Sequence, residues 1–113
     1  MIQIEILLPV TDNAGDDMAA AHCVFREYLL SSFGGFTQCT DVKGAWRDEK
    51  TGVTYWDVLT PYRVCFIASR ADGDWREEFE TRGALAVAMR QFPDQEAIFV
   101  SMIGEALIAE RGA

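Results

Sequence analysis

Histidine is almost missing from this chain, with His22 the only imidazole. Cysteine is sparse too: Cys23, Cys39 and Cys65 lie far apart and form no Cys-x-x-Cys pair. These shortages argue against a Cys/His zinc site and a disulfide framework, so no metal is expected. Reduced thiols in a cytoplasmic protein are the simplest account. His22 and Cys23 are neighbours, but adjacent helical positions point about 100° apart, so they make a poor catalytic dyad.

Basic residues are also in short supply. Ten Lys and Arg stand against 18 Asp and Glu, for a formal charge of −8. Phosphate binding draws on clustered Lys and Arg, so neither a nucleic acid nor an anionic membrane surface is an expected partner. No apolar run is long enough to span a bilayer. Met1 to Val10 is apolar, but it has no basic n-region, contains Glu5 and lacks a small-residue cleavage site; it reads as a strand and not as a signal peptide. Phosphate-loop, dinucleotide and metal-hydrolase patterns are absent, and no cofactor is expected. Repeats, low-complexity tracts and Ser/Gly linkers are absent as well, so residues 1–113 read as a single domain.

What the chain does have is apolar: half of its residues are hydrophobic and 12% are aromatic. A domain of this length buries enough surface to fold without staples. Ile2, Ile4, Ile6 and Leu8 alternate along a first strand. Asp16 and Asp17 open a helix whose apolar stripe runs through Met18, Ala21, His22, Phe25, Leu29 and Ser32, and Gly34-Gly35 ends it. On that stripe His22 reads as a core or boundary histidine. Phe36 to Val42 and Val53 to Ser69 are β-rich, with Lys43 to Gly52 between them as a long hairpin connection. Pro61 has no N–H for a ladder and is expected at a bulge or bend, which leaves the facing of the following residues open. Asp72-Gly73-Asp74 starts a second helix with the stripe Trp75, Phe79, Arg82, Ala86 and Met89, weakened at Gly83. Glu96 to Met102 is the last strand, and Gly104 breaks the chain before a short C-terminal helix, Glu105 to Glu110. This order predicts an α+β fold of the ferredoxin-like βαββαβ kind: a four-stranded antiparallel sheet with two helices on one face.

One pattern is more specific. Phe33-Gly34-Gly35-Phe36-Thr37, then Gly44-Ala45-Trp46, Gly52, Asp57 and Tyr62-Arg63-Val64 resembles a group of small uncharacterised bacterial proteins. Phe92 before Gln95-Glu96 extends the likeness over nearly the full length, while Pro93-Asp94 and the tail after Gly104 depart from it. The resemblance implies the ferredoxin-like fold and a preference for oligomers, and carries no activity with it.

Physically, Trp46 at a hairpin tip is expected to fold back over the sheet, with Asp57 bonding hairpin backbone donors. Trp46, Tyr55, Trp56, Tyr62 and Asp57, with Glu5, are the candidate lining of a small-molecule pocket between sheet and hairpin. Two helices cover only one sheet face. The other is expected to carry Gln3, Glu5 and Leu7, then Thr37, Cys39 and Asp41, and Ala97, Phe99, Ser101 and Ile103. From the third strand it takes either Cys65 and Ile67 or Val64 and Phe66. Leu7 and Phe99 mark that face as a self-association surface. The leading expectation is therefore a homo-oligomeric module that binds a small organic ligand. The alternatives are an enzyme using a carboxylate such as Glu5, Asp41, Asp57 or Glu96 as a base, and an acidic protein-interaction or regulatory protein.

Overall fold

Alternation in the first strand decides where the core forms. The computed structural model describes residues 1–67, 75–95 and 97–105. Its elements are β1 (Ile2–Pro9), α1 (Ala19–Phe33), β2 (Thr37–Gln38), β3 (Val42–Arg47), β4 (Thr54–Phe66), α2 (Trp75–Thr81), α3 (Ala84–Gln91) and β5 (Phe99–Glu105). The architecture is α+β, with one antiparallel sheet. Ile4, Ile6 and Leu8 are buried, and they lie opposite Val64, Tyr62 and Thr60 of β4. With Phe66, this face packs against Phe25 and Leu29 of α1, Phe79 of α2 and Ala84, Val87 and Ala88 of α3.

Among the described residues there are five strands where four are expected. β4 is 13 residues long and pairs with β1 along one side. Its other side pairs first with β3, from Arg47↔Thr54 to Val42↔Leu59, and then with β2, at Gln38↔Tyr62 and Thr37↔Arg63. The pairs of β2 and β3 differ in register by one residue, so residues 39–41 bulge between them. Pro61 explains the break. Its carbonyl accepts the Cys39 N–H at 2.9 Å, so the N–H it lacks would also face this stretch. The expected irregularity thus lies on the neighbouring strand, and β4 itself runs through Pro61 in register with Leu7. Residues 60, 62, 64 and 66 therefore point to the helices. Of the two facings left open, the structure takes Cys65 on the uncovered side, with Val64 and Phe66 in the core; Ile67 follows the strand's end.

The hairpin is longer in strand than the sequence suggests. Lys43 to Arg47 belong to β3, and the turn occupies only 48–53. Asp48 closes it: its carboxylate accepts the Lys50 N–H at 2.8 Å and its carbonyl accepts the Gly52 N–H at 2.8 Å. Gly44 is not a turn residue. A Cβ there would approach Leu59 at 3.2 Å, so it spares a crowded cross-strand contact.

α1 follows its stripe. The Asp17 carboxylate accepts the Ala19 N–H at 2.8 Å, and Gly34 ends the helix at φ 79°. The second helical segment is broken in two by Gly83, at φ 81°. The break resets the helical phase, so Ala84, Val87 and Ala88 are buried while Ala86 and Met89, expected inside, are exposed. Gly104 does not end the last strand. It pairs with Gln3 across a bulge within β5, which begins at Phe99, after Ala97 and Ile98. The expected helix start at Asp72 to Asp74, and all of the expected C-terminal helix but Glu105, lie outside the described residues; Glu105 itself is strand.

Two glycines in the left-handed region differ in what surrounds them. Nothing lies within 4 Å of a Cβ at Gly34, whereas at Gly83 it would collide with the Tyr28 hydroxyl, which donates to the Arg82 carbonyl. Gly34→Ala is therefore expected to cost the backbone strain alone, about 1–2 kcal/mol. Gly83→Ala should cost clearly more, by loss of the Tyr28 bond as well. Urea unfolding of both variants checks the order.

Candidate functional site

The hairpin divides its aromatic residues between two faces. Trp46 lies opposite Tyr55, and Gly44 opposite Asp57. The Trp46 and Tyr55 rings stack with centroids 4.7 Å apart and planes at 21°. The Trp46 Nε1–H donates to Asp57 Oδ2 at 3.2 Å. These three residues form one exposed platform, continuous with Leu59, Pro61, Arg63 and Cys65 further along β4. Trp56 points the other way. It keeps 70% of its surface and lines an open groove with Lys43, Asp57 and Val58.

Several expectations change here. Trp46 is on a strand and not at the hairpin tip, and although its ring lies over Tyr55 and Asp57 of the next strand it stays half exposed. Asp57 bonds the indole and not the turn's backbone. Tyr62 is not beside the hairpin aromatics at all. It has even parity in β4 and is fully buried under α1. The structure therefore unites Trp46, Tyr55 and Asp57, and separates them from Trp56, Tyr62 and Glu5.

Glu5 lies on the uncovered face and pairs with its cross-strand neighbour Arg63, Oε2 to Nε at 3.0 Å. Leu7 and Phe99 are paired on that same face, and Phe99 keeps 75% of its surface. Asp41, expected there, is on the helix side. The bulge at 39–41 shifts the alternation by one residue, and the Asp41 carboxylate accepts the Thr60 hydroxyl at 2.8 Å. Glu5, Asp41 and Asp57 are thus each partnered, and none is buried. Glu96 lies outside the described residues.

A second polar group was hidden from sequence reasoning. His22 is buried, as its stripe suggested, and both ring nitrogens are bonded. Nε2 lies 2.7 Å from the Pro9 carbonyl, which can only accept, so Nε2 carries the hydrogen. Nδ1, 2.7 Å from the Tyr62 hydroxyl, then accepts from it. Arg26 donates in turn to the Tyr62 oxygen at 3.4 Å. This chain of donors suits a neutral imidazole. Burial pushes the His22 pKa below its ordinary 6.5, and the Arg26 charge adds to this against the raising effects of the Pro9 bond, Asp41 and Asp17. Only the helical spacing of His22 was legible; its partners come from the end of β1 and from β4, and the facing of β4 depends on Pro61.

Among the described residues, no group of His, Cys, Asp and Glu could hold a metal ion, and no helix is long and apolar enough to cross a membrane. No protein-family model matches the chain, and no curated protein is significantly similar to it.

The His22 chain gives a pH dependence with a definite sign. A depressed native pKa means that the unfolded state takes up the proton first. The stabilisation is complete above the unfolded value of about 6.5 and is lost as pH falls through the lower native value. His22→Gln can still donate to Pro9 and does not titrate. Urea unfolding is expected to show wild type well above H22Q in stability at neutral pH, with the gap closing in acid. Tyr62→Phe should cost about 1–3 kcal/mol at neutral pH, because it strips a buried acceptor of its donor.

Proposed function

We propose that this chain is a homo-oligomeric binding module that takes a small organic ligand against the aromatic face of its hairpin. The observation that carries the reading is the Trp46–Tyr55 stack with Asp57 bonded to the indole: an exposed apolar platform with one oriented carboxylate. Such a pairing of flat apolar surface and a single polar group is how small-molecule sites fix orientation. A two-stranded ribbon is marginally stable alone, and this one exposes Trp46, Tyr55 and Trp56 beyond the helix-covered part of the sheet. A second copy supplies the missing wall. The ferredoxin-like reading belongs to this proposal. If β2 and β3 are one edge strand interrupted by a bulge, the sheet reduces to four strands with the sequence order expected of βαββαβ. The carboxylate-enzyme alternative draws no support from Glu5, Asp41 or Asp57, because each already has a partner. The acidic interaction protein is a weaker reading, since its motive is the net charge alone.

A thermal-shift screen against a chemically broad set of organic ligands tests the binding reading. At least one ligand is expected to raise the melting temperature of wild type, and Trp46→Ala should abolish that shift. If no ligand stabilises the chain, or if the shift survives Trp46→Ala, the site is not here. Light scattering of the unmodified chain is expected to give at least twice the 12.6 kDa chain mass.

A further inference from the structure

The uncovered side of β4 reads Tyr55, Asp57, Leu59, Pro61, Arg63, Cys65. Three observations place these side chains together: the Trp46–Asp57 bond, the approach of Leu59 to Gly44, and the Arg63–Glu5 ion pair between facing residues. The series has an internal symmetry about Thr60. Leu59 and Pro61 flank that point, and they are apolar and wholly or largely buried already. Asp57 and Arg63 stand three residues to either side, with opposite charges. Tyr55 and Cys65 stand five residues away.

From this we infer that a second copy of the chain covers this face, with the two-fold axis crossing β4 at Thr60. The inference rests on the oligomer proposed above and specifies its geometry. Reversing one strand upon another about that point sets Asp57 against the partner subunit's Arg63, twice over. It sets the Trp46–Tyr55 platform over the partner subunit's Cys65, while Pro61, already buried within its own chain, adds no new area. Self-complementary charge of this kind is what a two-fold interface requires. Arg63 is free to serve it: Glu5 engages only Nε, and 43% of the Arg63 side chain is exposed.

Size is modest. β4 is 13 residues long, but only its Leu59–Phe66 part lies in a four-stranded sheet, about 26 Å by 14 Å, and the two-stranded hairpin adds a narrower strip, for about 450 Å² per copy or about 900 Å² in all. That is the size of a weak, transient interface. Pairing along the β3 edge is the competing geometry, and Lys43 and Arg47 on that edge oppose it. In the face-to-face dimer, the aromatic platform of each hairpin becomes one wall of a space whose other wall is the body of the partner. The ligand site is then completed only by the second copy.

The test exchanges the charges, in a Glu5→Gln background so that no chain sets two carboxylates side by side. D57R and R63D should each weaken self-association by at least about tenfold, because like charges meet at both contacts. An equal mixture of the two should restore a heterodimer of the original strength, since both of its contacts are then complementary. The double variant D57R/R63D should dimerise as the Glu5→Gln parent does. Sedimentation over the micromolar range reads all four, with far-ultraviolet circular dichroism confirming folding. Weakened single variants with no recovery on mixing overturn this pairing. An oligomer indifferent to every exchange overturns this interface while leaving self-association intact. A monomeric unmodified chain overturns both. If either single variant fails to fold, the double variant decides alone: dimer retained supports the geometry, dimer lost refutes it.

Discussion

One long strand with a fixed alternation organises this molecule. β4 contributes to every strand pairing but one, and each of its residues must face either the helices or the open side. Even positions place Thr60, Tyr62, Val64 and Phe66 under the helices. Odd positions place Tyr55, Asp57, Arg63 and Cys65 on the other side. A shift of one residue anywhere along the strand would bury Arg63 and expose Tyr62. The core, the His22 bond network and the hairpin platform therefore all depend on the strand passing Pro61 without a bulge.

The chain meets that demand by moving the irregularity to the neighbour. Proline cannot donate, so a regular partner at this point would leave an acceptor without its bond. Residues 39–41 bulge instead, and the extra residue turns Asp41 toward Thr60 and the His22 cluster. The bulge thus both absorbs the missing N–H and adds a carboxylate to a polar group that lies beneath α1. His22 and Tyr62 are costly to bury singly, but here the Tyr62 hydroxyl donates to His22 and His22 donates to the Pro9 carbonyl. Such a network fixes the depth and rotation of α1 on the sheet more sharply than Phe25 and Leu29 would by packing alone.

How much of this was legible follows from the same physics. β1 and α1 could be read because their periods are carried by their own residues: Ile4, Ile6 and Leu8 in one, Ala21, His22, Phe25 and Leu29 in the other. The phase of α3 could not. Gly83 weakens a helix in any reading, but only its positive φ, held beside Tyr28, turns Val87 inward in place of Ala86 and Met89. The hairpin tip was misplaced because Gly44, Asp48 and Gly52 carry the same turn signal. Gly44 is there for a cross-strand contact, and nothing local distinguishes the two uses. Of the six residues expected around the hairpin, the structure brings Trp46, Tyr55 and Asp57 into contact. Tyr62 was not separable from them, since its facing depends on parity across Pro61; Glu5 shares their face but lies further along the sheet, paired with Arg63, and Trp56 points to the opposite side.

The hairpin poses the remaining physical problem. Its two strands extend past the helices, in a chain whose principal extents are 55 × 29 × 23 Å. The Asp48 turn and the cross-strand ladder hold it together, and the Trp46–Tyr55 stack adds about a kcal/mol. None of these removes the exposed ring faces from water. A ribbon needing only local order would carry threonines and charges on both sides, as Thr54 and Arg47 do at its end. Instead, apolar rings stand on the same face as Leu7 and Phe99, with Asp57 and the Arg63–Glu5 pair between them. Two apolar areas separated by charge on one face favour an occupant that spans the whole strand, and the reversal of charge across Thr60 makes the chain itself the best-matched candidate.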